Sequence, residues 1–365
     1  MIGIITFHRA VNYGAVLQTI ALQHTLNALG IQNNVIDYRC EFIEKHYSPK
    51  PNVTIRHPKT FLKEVLQIPV RIKARKEFDS FLKENIKLSS IVFRDSLSEI
   101  VHNYDAIITG SDQVFNLDAS GHDTTYLLDF VKNGVKKISY AASVAPNQFT
   151  EKNCKVLKKF LADFSGISIR EKQSLGLLNS ISGKDIYVHA DPTALPEIDF
   201  WINLANKSKL KTKNFIFVYI MQPSDVLYDI AEKLAKEENL ELKVICMVDN
   251  KRKIGKSIAG ASIYDYLYMI KEAHYVITNS FHGVMMSLRF HKQFIWSYQK
   301  GSHVSNPRFE MLDELYGIEK RRCNSVDEIN TLQKLDFKKI EFIRQQQKKI
   351  AQQYLLEEVG EYINE

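Results

Sequence analysis

Short apolar runs that end in polar turns and give way to helical spacing recur along almost the whole chain. This alternation limits the possible folds more than any other feature of the sequence. Ile2–Phe7 is an apolar run, Asn12-Tyr13-Gly14 a turn, and Ala15 to Leu29 places Val16, Leu17, Ile20, Leu22, Leu26 and Leu29 at helical intervals. Gly30 stops that helix, and Asn34–Tyr38 reads as a second strand. Strand, helix and strand joined by short turns form a βαβ unit, which is parallel and right-handed. Further strands are expected at Tyr104–Thr109, Lys137–Ala142, Gly166–Ile169 and Ile186–His189, with helices at Phe61–Phe81 and Thr150–Phe164. Asp191-Pro192-Thr193 and Leu195-Pro196 break the pattern. It then resumes with strands at Phe215–Ile220, Leu242–Met247, Tyr275–Thr278 and Gln293–Trp296, and helices at Ser224–Glu237, Ile263–Glu272, Phe281–Phe290 and Phe309–Tyr316. Ser325 to Glu365 reads as almost wholly helical. The expectation is an α/β protein of two doubly wound, Rossmann-like domains, 1–195 and 196–325, facing across a cleft, with a helical tail at 326–365.

Composition supports a globular chain. Its 365 residues, 45% hydrophobic and 25% charged, exclude collagen, low-complexity disorder and a pure coiled coil. No apolar stretch approaches the ~20 residues that cross a bilayer. The start, Met-Ile-Gly-Ile-Ile-Thr-Phe-His-Arg, lacks the layout of a signal peptide, so a cytoplasmic protein is expected. Cys40, Cys154, Cys246 and Cys323 are too far apart in sequence to form a metal or redox pair. A net charge of +7 fits anionic small substrates, an anionic membrane face or nucleic acid without choosing among them. No nucleic-acid reader motif is present, so nucleic acid ranks last.

In doubly wound sheets ligands lie beyond the carboxyl ends of strands, so polar residues directly after strands are the candidates. Asn279-Ser280-Phe281-His282-Gly283 is the sharpest. A strand runs through a short turn into a helix whose first N–H groups and dipole suit an anion. Ser280 can cap it, Gly283 leaves room for a ligand, and His282 can move a proton. The alternative is a capped helix with a structural histidine. Gly110-Ser111-Asp112 follows the same logic, with Asp112 either a base for a sugar hydroxyl or merely a helix cap. Arg170 follows a core strand and can grip a carboxylate or phosphate, or pair with Glu171 or another acid. Arg308 and Lys300 belong to a polar loop that can cover an anionic ligand or lie in solvent. Asn12 and Gly14 form a glycine turn, but not Gly-x-Gly-x-x-Gly, so no dinucleotide cofactor is implied. No P-loop, His-Glu-x-x-His or Gly-x-Ser-x-Gly occurs, and the histidines show no metal-ligand spacing, so no metal is expected.

Several of these pieces, in order, resemble the polysaccharide pyruvyl transferases. They are Gly3–Phe7 with Asn12-Tyr13-Gly14-Ala15-Val16-Leu17-Gln18, Gly110-Ser111-Asp112-Gln113-Val114-Phe115-Asn116, Ile138–Ser143, Ser168-Ile169-Arg170-Glu171, Asp191-Pro192-Thr193, Asn279–Gly283, and Lys300-Gly301 through Arg308. The resemblance implies a cytosolic enzyme of capsule, exopolysaccharide or cell-wall polymer synthesis with a GT-B-like fold. It would move the pyruvyl group of phosphoenolpyruvate onto a sugar, usually as a ketal, with no other cofactor. Ser280 stands where some members carry arginine, and Phe115 where many carry tryptophan; Arg308, Lys300 or Arg289 are the substitutes for the missing cation.

On this reading His282 protonates the donor's methylene, Ser280–Gly283 and Arg308 hold its phosphate, Arg170 its carboxylate or phosphate, and Asp112 takes the proton of the attacking hydroxyl. The competing readings are a nucleotide-sugar glycosyltransferase on the same fold and a non-catalytic glycan-binding or assembly protein. The acceptor implied is a sugar, in many relatives lipid-linked. Arg56, Lys59, Lys63, Arg71, Lys73, Arg75 and Lys76, interleaved with Phe61, Leu62, Val65, Leu66, Ile68, Val70 and Ile72, would suit peripheral contact with the inner membrane face. The plainer alternative is a helix with one core face and one solvated basic face, interrupted by Pro58 and Pro69.

Overall fold

In the computed structural model the structure describes residues 1–50, 58–132, 134–145, 149–246, 252–299 and 306–360. The chain divides into two compact units, Met1–Ser48 with Ser80–Pro196 and Arg344–Glu365, and Pro49–Asp79 with Glu197–Ile343.

Unit 1 holds β1 (Ile2–Ile5), α1 (Tyr13–Ala28), β2 (Asn33–Tyr38) and α2 (Glu41–His46). The long helix α3 (Pro58–Asn85) begins in unit 2 and ends in unit 1. Then come β3 (Leu88–Val92), α4 (Leu97–Ile100), β4 (Ala106–Thr109), β5 (Lys136–Ser139), α5 (Glu151–Leu161), β6 (Ile167–Ile169), α6 (Leu175–Ser182) and β7 (Ile186–Val188). Unit 2 continues with α7 (Ile198–Ala205), β8 (Phe215–Ile220), α8 (Asp225–Glu237), β9 (Glu241–Cys246) and β10 (Lys256–Ser257). It ends with α9 (Ile263–Glu272), β11 (Tyr275–Thr278), α10 (Phe281–Arg289), β12 (Phe294–Trp296) and α11 (Pro307–Tyr316). Helix α12 (Phe337–Val359) begins in unit 2, and its residues from Arg344 onward belong to unit 1.

Both sheets are parallel and share one strand order: β3-β2-β1-β4-β5 and β10-β9-β8-β11-β12. That is the doubly wound arrangement expected from the alternation of strands and helices. In each sheet the order reverses beside the first strand, so the switch points lie between β1 and β4 and between β8 and β11. The central strands β1, β4 and β8 are buried along their whole length, which accounts for their unbroken apolar runs. Helix α1 is buried on nearly every side and shows no amphipathic stripe.

Differences from expectation have local causes. Strand β3, unforeseen, is an edge strand with only Val92 buried, so it carries no clear apolar pattern. The strand at Lys137 stops at Ser139 because Ala141 turns into the left-handed region (φ 45°). The sheet nevertheless continues: Ser139 N–H donates to Gly166 O (3.0 Å), Ala142 N–H to Ser168 O (3.0 Å) and Arg170 N–H to Ala142 O (3.0 Å), which joins β6 and β7 to its edge. The C-terminal segment is not one helix. A 3₁₀ segment at Val326–Thr331 precedes Asp336, whose carboxylate accepts from the N–H groups of Lys338 (3.0 Å) and Lys339 (3.2 Å) and starts α12 afresh. Tyr354 of α12 donates its hydroxyl to Ser139 O (3.0 Å) within unit 1.

His189 follows β7 and is buried between Tyr140 (5.9 Å, stacked) and Tyr354 (4.6 Å), with Nδ1 2.7 Å from the Ser168 hydroxyl. Burial pushes its pKa down to about 4. As pH falls from about 6.5 towards 4, the unfolded chain binds a proton here that the folded one refuses, so stability falls across that window. His189→Gln should flatten that part of the profile, measured by urea unfolding from pH 7 down to pH 4.

Candidate functional site

The turn after β11 sits at the switch point of unit 2 and is tied to the end of β8. Asn279 Oδ1 accepts from Met221 N–H (2.8 Å), Nδ2 donates to Gln222 O (2.7 Å), and its carbonyl accepts from Gln299 Nε2 (3.1 Å). Asn279 is fully buried, so its amide spans the two strand ends. Ser280 is the N-cap of α10: Oγ accepts from Gly283 N–H (3.3 Å), and its own N–H donates to Thr278 Oγ1 (3.0 Å).

Gly283 has a reason other than the expected ligand clearance. A Cβ there would lie 2.4 Å from Thr278 Oγ1, so the missing side chain lets helix and strand pack. His282 stands in the first turn of α10, only 9% exposed, with its ring against Phe281 (5.0 Å, perpendicular).

Arg308, in the first turn of α11, precedes Phe309, which packs edge-on to Phe281 (6.4 Å) and flat on Trp296 (4.6 Å). The two helix starts of α10 and α11 are therefore neighbours. Lys300 lies outside the described residues. Arg289 is at the far end of α10, nearly buried and paired with Glu341 (3.0 Å), so it does not replace the missing cation at Ser280.

In unit 1 the switch point is stitched by Gln18. Its Nε2 donates to Thr6 Oγ1 (2.9 Å) and its Oε1 accepts from Ser111 N–H (3.0 Å), while Thr6 Oγ1 donates to Ser111 O (2.9 Å). Asn12 caps α1, accepting from Gly14 N–H (2.9 Å) and Ala15 N–H (3.4 Å). His8 and Arg9 are absorbed by structure: His8 Nε2 and Arg9 both contact Asp37, and Arg39 joins them (3.0 Å). Burial pushes the Asp37 carboxyl up, but His8 and Arg9 outweigh it and hold it well below the usual range.

Asp112 adopts φ 73°, and its carbonyl accepts from Val114 N–H (2.8 Å) and Ser143 N–H (2.9 Å). It is not a helix cap; its carboxylate accepts from the N–H of its neighbour Gln113 (2.9 Å). Arg170 is fully buried, with Nε on Glu171 Oε1 (2.9 Å) and Nη1 on Asp191 Oδ2 (2.6 Å). Burial lowers its pKa, but Glu171, Asp191 and Asp112 outweigh that and raise it. Tyr47 also belongs here: burial and the charge of Asp112 push its pKa up to about 12, against a hydrogen bond with Asn12. One guanidinium thus sits in the field of three carboxylates.

The sequence profile of the polysaccharide pyruvyl transferase family matches residues 12–300. The chain belongs to that family. Among solved structures it is similar to UDP-GlcNAc 2-epimerase from Neisseria meningitidis bound to UDP-GlcNAc, at 9% identity over 99% of each chain with a TM-score of 0.51. A second UDP-N-acetylglucosamine 2-epimerase matches at 10% identity over 98% of this chain and 95% of that one, also with a TM-score of 0.51. These likenesses concern the fold: the pyruvyl transferase chain has the GT-B-like architecture of two Rossmann-like domains. No individually curated protein matches it significantly.

Sequence reasoning passed over Tyr47, Ser143 and the role of Asp191. Ser143 Oγ donates to Glu171 Oε1 (2.8 Å), and Asp191 caps the turn at Thr193 (2.9 Å) while holding Arg170. Ser143 and Asp191 stood inside recognisable motifs; Tyr47 stood in none, and only the fold brings it to Asp112. The Gly283 contact gives a direct test. Gly283→Ala should destabilise the protein by about 1–3 kcal/mol, as overpacking does, and urea unfolding would measure it.

Proposed function

We propose that this pyruvyl transferase moves the pyruvyl group of phosphoenolpyruvate onto a sugar of a polysaccharide precursor, closing a ketal, in capsule or exopolysaccharide synthesis. The observation that carries this reading is His282 in the first turn of a capped helix at the unit 2 switch point, in a chain of this family. That helix start favours negative charge, and Arg308 stands on the neighbouring helix start, so this side suits the donor's phosphate and carboxylate.

In our reading His282 gives a proton to the methylene carbon, and the adjacent carbon becomes electrophilic. A sugar hydroxyl adds to it and yields its proton to Asp112. Phosphate departs with the electron pair of its C–O bond, and a second hydroxyl attacks the same carbon and gives its proton to the departing phosphate, which closes the ketal. Arg170 is reassigned from donor grip to positioning. Its fork is held by Glu171 and Asp191, and three carboxylates around it leave net negative charge. That surrounding repels an anionic donor and suits a neutral hydroxyl that must lose a proton.

Incubating the protein with phosphoenolpyruvate and candidate sugars, and weighing the products, tests the reaction: a pyruvyl ketal supports it. Stabilisation against heat by a nucleoside diphosphate and not by phosphoenolpyruvate would favour the glycosyltransferase reading. His282→Ala should lower acceptor-dependent phosphate release about 10²–10⁴-fold with an unchanged circular-dichroism spectrum. Release at the wild-type rate would remove His282 from the chemistry.

We extend the proposal to a membrane setting for the acceptor, supported by α3. Leu62, Leu66 and Val70 fall at intervals of four on this helix and are 60%, 71% and 41% exposed, with exposed Lys73 and Lys76 about one and two turns further on. No described helix is long and apolar enough to cross a membrane. We therefore assign α3 to peripheral contact with an anionic lipid surface. Leu62→Glu with Leu66→Glu should abolish flotation with phosphatidylglycerol vesicles and leave turnover of a water-soluble acceptor unchanged. Flotation equal to the wild type would refute the assignment.

A further inference from the structure

The turn after β4 supplies Asp112 to the proposed chemistry, while Gln113 and Asn116 of the same segment have no task in it. Between them Val114 and Phe115 are buried and anchor the turn in the core of unit 1. The turn is closed twice: Asn116 N–H donates to Gln113 O (3.0 Å), and Asn116 Nδ2 donates to Gln113 Oε1 (2.7 Å). Asn116 is itself buried and held, because its Oδ1 accepts from Asp118 N–H (3.1 Å) as the N-cap of the 3₁₀ segment Leu117–Ser120.

This chain of bonds decides which way the Gln113 amide faces. A backbone N–H can only donate, so the Asn116 atom that meets Asp118 is the oxygen and the atom that meets Gln113 is the nitrogen. An amide nitrogen also can only donate, so Gln113 must offer it the carbonyl oxygen and turn its own NH₂ group away. Gln113 is partly exposed, and that NH₂ group has no hydrogen-bond acceptor among the described residues. The preceding side chain is its complement. Asp112, also partly exposed, accepts from Gln113 N–H at Oδ1 (2.9 Å), and its Oδ2 has no hydrogen-bond donor among the described residues. Successive residues on one anchored turn thus offer an oriented donor and an acceptor.

A ketal requires two hydroxyls of one sugar to be treated differently. The first loses its proton to a base as it attacks; the second must keep its proton until phosphate leaves. We infer that Gln113 holds the second hydroxyl, Nε2 donating to one lone pair of its oxygen while Asp112 takes the proton of the first. The other lone pair is then free to attack the central carbon, and the O–H proton is free for the phosphate. As that C–O bond forms, the C–O bond to phosphate breaks, its electron pair leaves with the phosphate, and the phosphate takes the proton. The assignment rests on the transfer reading and makes Gln113 a determinant of acceptor specificity, with Asn116 as the residue that positions it.

Phosphate release from phosphoenolpyruvate with methyl glycosides of glucose, galactose and mannose as acceptors tests it, with the products weighed. Gln113→Met removes the donor at similar volume and without adding charge. It should raise the KM of the glycoside turned over by about three- to tenfold, the worth of one neutral hydrogen bond, with the KM of phosphoenolpyruvate and the melting temperature unchanged. Asn116→Asp still accepts from Asp118 N–H but draws the Gln113 NH₂ group inward, so that a carbonyl oxygen faces the sugar and competes for its proton. It should lower kcat for ketal formation about tenfold in the wild-type background and have no further effect when added to Gln113→Met, because residues acting as one unit are not additive. A wild-type acceptor KM in Gln113→Met, an equal rise in both KM values, or the same loss from Asn116→Asp in both backgrounds would overturn the assignment and leave the transfer reading intact. No phosphate release by the wild-type protein with any of the glycosides would remove the transfer reading, and the assignment with it.

Discussion

A single buried guanidinium organises unit 1. Arg170 has no solvent exposure, and neither of the carboxylates it holds, on Glu171 and Asp191, is accessible either. Taking such charges out of water is costly, and the arrangement persists only because each is answered at close range. Its consequences spread outward through hydrogen bonds. Glu171 receives the Ser143 hydroxyl, and Ser143 N–H in turn binds the carbonyl of Asp112. Asp191 caps the Pro192–Ala194 turn, and Ala194 O accepts from Arg344 of α12 (2.9 Å). The backbone of the candidate base, the turn before unit 2 and the last helix are all fixed by partners of one side chain.

The two sheets solve the same topological problem with different side chains. At each switch point a strand-end gap must be bridged by polar groups that would otherwise be buried without partners. Unit 1 uses the amide of Gln18, reaching from α1 to Thr6 and Ser111. Unit 2 uses the amide of Asn279, reaching from β11 to Met221 and Gln222. Amides suit this task because each offers both a donor and an acceptor without charge. The resulting sites differ in electrostatic sign, one dominated by carboxylates and the other by helix starts and an arginine.

How much of this could be read from sequence depended on what each residue answers to. The apolar runs of β8 and β11 and the single buried stripe of α9 placed those elements at their observed residues, because two-faced burial of a strand and one-faced burial of a helix each leave a clear pattern. Strand β3 escaped because an edge strand is mostly exposed. The turn residues after strands were legible as a class, since a parallel sheet presents its strand ends together. Their individual roles were not. Whether an arginine grips a ligand or a carboxylate depends on residues distant in sequence; Asp191 lies 21 positions from Arg170. Likewise nothing near Gly283 in sequence signals that its neighbour is Thr278 Oγ1, because that contact exists only once α10 folds back on β11.

The placement of charge constrains any mechanism for this chain. A donor carrying both phosphate and carboxylate needs cations beside the helix start that receives it. Arg170 is engaged in unit 1 by two carboxylates, Arg289 stands at the far end of α10 against Glu341, and Arg322 pairs with Glu319. Arg308 lies on the start of α11, its Nε toward Asn306 Oδ1 (3.4 Å), directly before Phe309, whose ring meets Phe281 at the start of α10. With serine at position 280, the start of α10 contributes backbone and dipole, and a helix terminus offers only about half a unit charge. In the reading proposed here, Arg308 on the start of α11 would add its charge to that dipole in neutralising the donor's phosphate.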